Sequence, residues 1–340
     1  MRRIYKRSLI ALAIGLALLL ALFAYAWGST SDEYLFLPDP AHPVGPAIQL
    51  AGAAPLPSAG GFYFVDVRYR PARTWESWFG SDVRGAQLVP REQVVGPDQS
   101  DAEVQKEAQA QMIDAQQEGT AVGERAAGRP VRIVGGGVIV ASIESSAPVA
   151  RSGLRVRDVI RSIDGLPVWS RDDLVGVLRN ATATSVLRLG VRRSGRSQTV
   201  ATRPWMHRAT ALVGIEAAQA PISVKLDPVP RYLTGNVGGP SAGLVFALDV
   251  YDSLTGRKLT RGTRIAVTGT ISLNGSVGEI GGATQKAIGA AQAGATVFLV
   301  PPGNLAEARK AAPRGLRVIP VASFEQALRT LRALPLTRKG

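Results

Sequence analysis

The sequence predicts an α/β (α+β) C-terminal body, a small mostly-β domain ahead of it, and an N-terminal transmembrane helix. Three observations lead there. From Ile265 onward, strand-like runs (Ile265–Thr268, Thr296–Val300, Leu316–Val321) alternate with helical stretches at Leu305–Lys310 and Phe324–Leu334, the pattern of a sheet covered by helices. Between Val131 and Arg203, short β-like segments are separated by glycine turns. Leu9 to Trp27 is an uninterrupted apolar run, and about twenty such residues span a bilayer.

Arg2, Arg3, Lys6 and Arg7 precede that run and Asp32 and Glu33 follow it, which puts residues 1–8 in the cytoplasm, 9–27 in the membrane and the rest of the chain outside. The alternative is a cleaved signal peptide, because Ala24-Tyr25-Ala26 fits the small-residue rule; the length of the run favours a retained anchor. Residues 28–61 are rich in Pro, Ala, Gly and Ser without periodicity and read as a linker. Phe62–Tyr69 reads as a strand, a candidate N-terminal member of the C-terminal sheet, which would make the β domain an insertion. Trp75 and Trp78 read as packing residues. Ser100–Arg129 is helix-like, polar and weakly amphipathic, so residues 62–130 are expected to hold a strand and a solvated helical connector.

Composition narrows the chemistry. The chain of 340 residues has room for two or three domains, no cysteine, and two isolated histidines, His42 and His207. That leaves no thiolate nucleophile and little support for a Ser-His-Asp triad or a metal site. The net charge of +14 is spread along the chain, no aromatic-basic module accompanies it, and nucleic acid is not an expected partner. There is no Gly-x4-Gly-Lys-Ser/Thr phosphate loop and no cofactor is expected.

One stretch, Gly235–Lys286, carries candidate catalytic residues. Gly238, Gly239, Pro240 and Ser241 stand directly before an apolar run of helical length, and proline suits a first helical turn, so Ser241 is expected at a helix N-terminus. There, unpaired amides and the positive dipole end could stabilise an oxyanion. Asn274-Gly275 is a favoured hairpin turn, and Gly281-Gly282 precedes a helix bearing Lys286 among Ala287, Ile288, Ala290 and Ala291. A lysine among small apolar neighbours is a candidate for desolvation, and a neutral amine can take a serine proton. The seven lysines are few beside the arginines, which do not deprotonate. A solvated surface lysine and a structural helix start remain the alternative at this level.

Gly239-Pro240-Ser241-Ala242-Gly243, then Thr268-Gly269, then Gly281-Gly282 with a lysine four residues on, resemble the proteolytic domain of the Lon protease family over roughly Pro221–Leu334, including the exit Phe298–Asn304. The resemblance implies a Ser241–Lys286 dyad, with Thr268 hydrogen-bonding the lysine and Gly239 and Pro240 shaping the turn. It also implies a homo-oligomer, a hexamer in that family. Gly238 and Thr270 stand where acidic residues often occur, which bears on the shape of the cleft. Ala147-Pro148, Ser152-Gly153-Leu154, Asp158-Val159-Ile160 and Ile163-Asp164-Gly165 resemble a bacterial PDZ domain. That resemblance implies peptide binding by strand addition, with Gly135, Gly136 and Gly137 receiving a terminal carboxylate and Val138 and Ile139 opening the edge strand. The alternative for the three glycines is a flexible joint.

The expected layout is a PDZ domain at 131–205 and a Lon-like proteolytic domain at 206–335. The expected function is a membrane-anchored, ATP-independent serine endopeptidase acting on flexible extracytoplasmic chains; the alternative is a catalytically idle PDZ scaffold.

Overall fold

The computed structural model describes residues 2–334 apart from 58, 97–98, 180, 208–209, 227–228 and 236, with side chains from residue 12 onward. The chain begins with α1 (Arg2–Gly28). Among the described residues, no helix is long and apolar enough to cross a membrane; the expected span at 9–27 and its basic flank fall partly on side chains outside the described residues. Leu12, Leu18, Leu20 and Phe23 are exposed on α1.

The expected linker is folded instead. Strand β1 (Thr30–Pro38) carries buried Tyr34 and Leu35, β2 (His42–Pro43) and β3 (Gly61–Phe64) follow, and β4 (Val67–Arg73) leads into the short helix α2 (Thr74–Phe79) and strand β5 (Gln87–Pro90). β1 pairs antiparallel with both β4 and β5. Proline and alanine content suggested a tether, but the run Tyr34-Leu35-Phe36-Leu37 supplies apolar area that is buried only through these distant pairings. Trp75 of α2 stacks on Trp27 at 5.5 Å between ring centroids, whereas Trp78 is exposed.

Helix α3 (Asp101–Ala126) starts with a capping box between Ser100 and Glu103. It is not a solvated connector. Met112, Ala115, Gly119, Val122 and Gly123 are buried against the helix that follows the candidate serine. A Cβ on Gly119 would lie 2.8 Å from the carbonyl oxygen of Gly243, and one on Gly123 2.6 Å from that of Ala247. Small residues bring the two backbones together while giving the helix almost no apolar periodicity, which is why its burial does not show in the sequence.

The mostly-β domain contains β6 (Arg132–Gly135), β7 (Val138–Ile143), β8 (Val159–Ile163), helix α4 (Arg171–Leu178), β9 (Leu187–Arg193), β10 (Arg196–Thr202) and β11 (Ile215–Gln219); β12 (Ile222–Lys225) returns to pair with β6. The sheet runs β10-β9-β8-β7-β11. Its core is Val138, Val140, Ile160, Ile163, Leu174, Leu178, Leu189 and Val191. Residues 215–219, expected in the C-terminal body, therefore belong to this sheet.

The C-terminal body holds α5 (Gly243–Leu254), β13 (Arg264–Val267), the small hairpin β14 (Thr270–Ile271) and β15 (Val277–Gly278), α6 (Ala283–Gln292), β16 (Val297–Val300), α7 (Leu305–Ala311), β17 (Arg317–Pro320) and α8 (Phe324–Ala333). β3, β13, β16 and β17 form a parallel sheet with β2 antiparallel at its edge, and Phe62 pairs with Ile265. Residues 61–64 thus join a sheet whose other parallel strands lie beyond the inserted β domain. Alternation sends Ile265, Val267, Val297 and Leu299 to one core with α5 and α8, and Ala266, Phe298 and Val300 to the other with α6 and α7. Both faces are covered, as a parallel sheet requires.

Candidate active site

Ser241 lies in a single 3-10 turn, Pro240–Ala242, which runs directly into α5. Gly239 precedes it with φ of 88° and ψ of 160°, a conformation that side chains resist. Lys286 sits on the second turn of α6, whose N-cap Gly282 has φ of 69° and packs so closely that a Cβ would lie 2.7 Å from Val67 Cγ2. The two side chains meet: Lys286 Nζ is 2.9 Å from Ser241 Oγ and 3.5 Å from Thr268 Oγ1. Thr268 is fully buried just past the end of β13 and donates from Oγ1 to the Ser241 carbonyl at 3.3 Å, beside the Gly269 amide at 2.9 Å. The expected dyad residues and Thr268 are together.

Lys286 is only 4% exposed, on a helix whose Ala283, Ala287 and Ala290 are buried as well. Burial brings its pKa down to about 8, with the Asp66 carboxylate opposing the fall. A desolvated ammonium gives up its proton more readily, so a substantial fraction is neutral near physiological pH. Neutral Lys286 is placed to accept the Ser241 proton, and the ammonium so formed can return it to a leaving amine.

The glycine-rich turn is less free than the sequence suggested. The Gly239 amide donates to the carbonyl of Ala108 on α3 at 2.7 Å, so it holds the turn against that helix. At a helix start the first amides lack intrahelical acceptors, which leaves the Ser241 amide as the turn's donor for an oxyanion.

The dyad opens into a cleft of about 780 Å³ whose other wall comes from the N-terminal strands: Tyr34, Phe36, Asp39, His42, Asp66 and Tyr69. Sequence reasoning missed these. The signal that could have found Asp66 is its place just beyond β3, since parallel sheets bind ligands outside the carboxyl ends of their strands. His42 is not isolated: its Nε2 is 3.3 Å from Asp39 and 3.7 Å from Asp66. Burial raises the Asp66 pKa, while His42 and Lys286 attract its charge. Asp39, His42 and Asp66 are the one metal-like grouping among the described residues, their ligand atoms lying within 4.8 Å of one another. The Arg68 guanidinium already binds Asp39, which makes the group an ion-pair cluster.

The charge of Asp66 favours the protonated form of Lys286, so removing it should ease proton loss from the lysine. Asp66→Asn is expected to move the rising limb of the pH profile of kcat/KM to lower pH than in the wild type. A limb that stays put, or moves up, would show that Asp66 does not act on the base.

The expected peptide-binding residues are placed differently. Val138 and Ile139 open β7, which is an interior strand with β8 on one side and β11 on the other. The glycine amides are also occupied: Gly136 donates to Pro221 O and Gly137 to Trp169 O, each at 2.7 Å, while Gly135 pairs with Ile222. The outer strand of the sheet on this side is β11, which lies against α4. The strand expected to receive a peptide is thus already paired by a later segment of the same chain.

Comparison with known proteins agrees with both halves of this architecture. Residues 230–333 match the family model of the Lon protease (S16) C-terminal proteolytic domain, and residues 102–203 match that of the PDZ domain. Lon protease 2 of Herpetosiphon aurantiacus is 41% identical over 87 residues, covering 26% of this chain and 10% of that protein. Lon protease 1 of Bacillus subtilis is 44% identical over 66 residues, 19% of this chain and 8% of that one. The chain therefore spans about a tenth of the length of these curated relatives. Among solved structures, the PDZ domain of an SdrC-like protein from Listeria monocytogenes is 19% identical, covers 24% of this chain and 86% of that one, and has a TM-score of 0.22.

Proposed function

We propose that this chain, which joins a PDZ domain to a Lon-type proteolytic domain, is a serine endopeptidase that cleaves flexible polypeptides with Ser241 as nucleophile and Lys286 as general base. The observation that carries the reading is the 2.9 Å approach of a buried lysine amine to the serine hydroxyl at a helix start. Ser241 Oγ attacks the scissile carbonyl as Lys286 takes its proton; the Ser241 amide faces the developing oxyanion, and Lys286 protonates the departing amine. Thr268 keeps the amine directed at Oγ.

The reading extends to nucleotide independence, since these 340 residues carry no phosphate loop, and to work as a homo-oligomer, as the Lon resemblance implies. It also places the chain on the outer side of a cell membrane with α1 as anchor. Support for that comes from the basic flank and apolar run in the sequence and from the exposed leucines of α1. The PDZ domain would receive an extended peptide along the outer edge of β11, beside α4.

The test is hydrolysis of casein by the full chain without nucleotide, together with mass-spectrometric mapping of a fluorophosphonate adduct. Cleavage with the adduct on Ser241 is expected, as is recovery of the chain with membranes after an alkaline wash. An adduct elsewhere would overturn the catalytic reading, cleavage only when ATP is added would overturn nucleotide independence, and recovery in the wash would overturn the anchor.

A further inference from the structure

Thr268 and Lys286 stand at the two ends of one continuous segment, and the middle of that segment is seated on the PDZ domain. The seat is helix α4. Arg179, just past its end, donates from Nη1 to the Val277 carbonyl of β15 at 2.7 Å. Asp173 accepts the Asn274 amide on Oδ1 at 3.2 Å, while its Oδ2 takes the amides of Trp169 and Ser170 at 2.7 and 2.9 Å. One buried carboxylate therefore ties the hairpin turn to the start of α4. Gly176 lets the helix approach so closely that a Cβ there would lie 2.9 Å from Ser276 Cβ.

The hairpin cannot hold its own position. Its ladder is Thr270 with Gly278 and Ile271 with Val277, and so short a pair of strands depends on what it packs against. Besides α4, it is held by Arg125 of α3, which donates to the Leu273 carbonyl, by Ala322, whose carbonyl accepts the Val277 amide at 3.0 Å, by Phe324, whose amide donates to the Gly275 carbonyl at 2.8 Å, and by the core with α5 in which Ile271 and Val277 are buried. On one side the hairpin continues into Gly269 and Thr268, which hold the Ser241 carbonyl; on the other it leads through Gly281 and Gly282 to the Lys286 helix. Meanwhile Leu174 and Leu178 of the same eight-residue helix α4 are buried in the PDZ core, and α4 lies against β11. Groove wall and hairpin seat are two faces of one short element.

We propose that the PDZ domain acts on the dyad as well as on the substrate: the seat of α4 on the hairpin, through Arg179, Asp173 and Gly176, sets the reactivity of Ser241, so that a peptide added along the outer edge of β11, beside α4, is felt at the nucleophile. This rests on the peptidase reading above. Arg179 and Gly176 are positioning residues, remote from the substrate. A peptide shifts the seat to the extent that it binds one position of α4 better than another.

The experiment measures the rate at which a small fluorophosphonate labels Ser241, which needs no substrate delivery, beside kcat/KM for casein. The full chain is compared with Arg179→Ala, Arg179→Lys and Gly176→Ala, and with Arg192→Ala at an exposed site on β9 as control. Labelling is expected to change about fivefold or more in Arg179→Ala and in Gly176→Ala. Arg179→Lys, which keeps a donor, and Arg192→Ala should stay near wild type, with melting temperatures confirming that all variants are folded. Gly176→Ala probes the seat without altering charge, so an unfolded Arg179→Ala would leave the test intact. Unchanged labelling in both seat variants, with only casein turnover reduced, would overturn the proposal and reduce the PDZ domain to a delivery module. Failure of the wild type to label at Ser241 at all would instead sink the peptidase reading beneath it.

Discussion

Replacing Ser241 with alanine is expected to lower casein turnover by on the order of 10⁴-fold or more while leaving the fold intact. The loss is large because in the proposed mechanism the hydroxyl is the group that forms the acyl bond, and no other described nucleophile lies against Lys286 Nζ except Thr268 Oγ1, which is fully buried and 3.5 Å away. The fold is spared for a separate reason. The backbone carbonyl of Ser241, and not its Oγ, receives the Gly269 amide and the Thr268 hydroxyl, so the links between the nucleophile turn and β13 survive the substitution. Melting temperature should therefore stay close to wild type. Turnover that persists at the wild-type rate in Ser241→Ala would mean that another group performs the attack.

Lys286→Arg is expected to be nearly as damaging, by roughly 10²- to 10⁴-fold, the range that a positioned general base contributes. Arginine keeps a positive charge and a hydrogen-bond donor but does not deprotonate at any pH the protein survives, so it cannot accept the Ser241 proton. It must also fit a longer, planar head into the buried space beside Ser241 Oγ and Thr268 Oγ1. Lys286→Met separates these effects: it removes the charge, matches the lysine stem in length, and suits the apolar surroundings. Both variants should be inactive, with Lys286→Met the more stable of the two. Full activity in Lys286→Arg would remove the lysine from the proton relay and leave it a structural charge.

The turns and helix starts that carry Ser241 and Lys286 were legible in the sequence because they lie in one segment with strong local punctuation, while the pairing of the two residues came only from the Lon resemblance. Gly239 at positive φ, Pro240 at the start of the 3-10 turn, Gly275 in the hairpin and Gly282 at the N-cap of α6 are each required by local backbone geometry, and each is visible as a residue type. The boundaries of β16 and α8 followed from periodicity to within one residue. What escaped the sequence depends on pairings between distant segments. β1 looked like a linker because its partners β4 and β5 cannot be inferred from its own composition, and with it went Tyr34, Phe36 and the cleft wall. α3 looked solvated because Ala115, Gly119 and Gly123 contribute closeness rather than hydrophobic area. β7 was taken as the sheet edge because nothing in residues 131–205 reveals that β11, ten residues past that boundary, comes back to cover it.

The account depends on a lysine that loses its proton near neutrality because its surroundings exclude water. Burial penalises the charged form and lowers the pKa to about 8, so below that value Lys286 is increasingly protonated and cannot act as base. The measurement that tests this is the pH dependence of kcat/KM for a peptide without ionisable groups, from pH 5 to 10. The profile is predicted to fall about tenfold per unit on the acid side and to level off above an apparent pKa near 8. A profile flat across that range, or a limb near the pKa of a lysine in water, would contradict the assignment of Lys286 as the base.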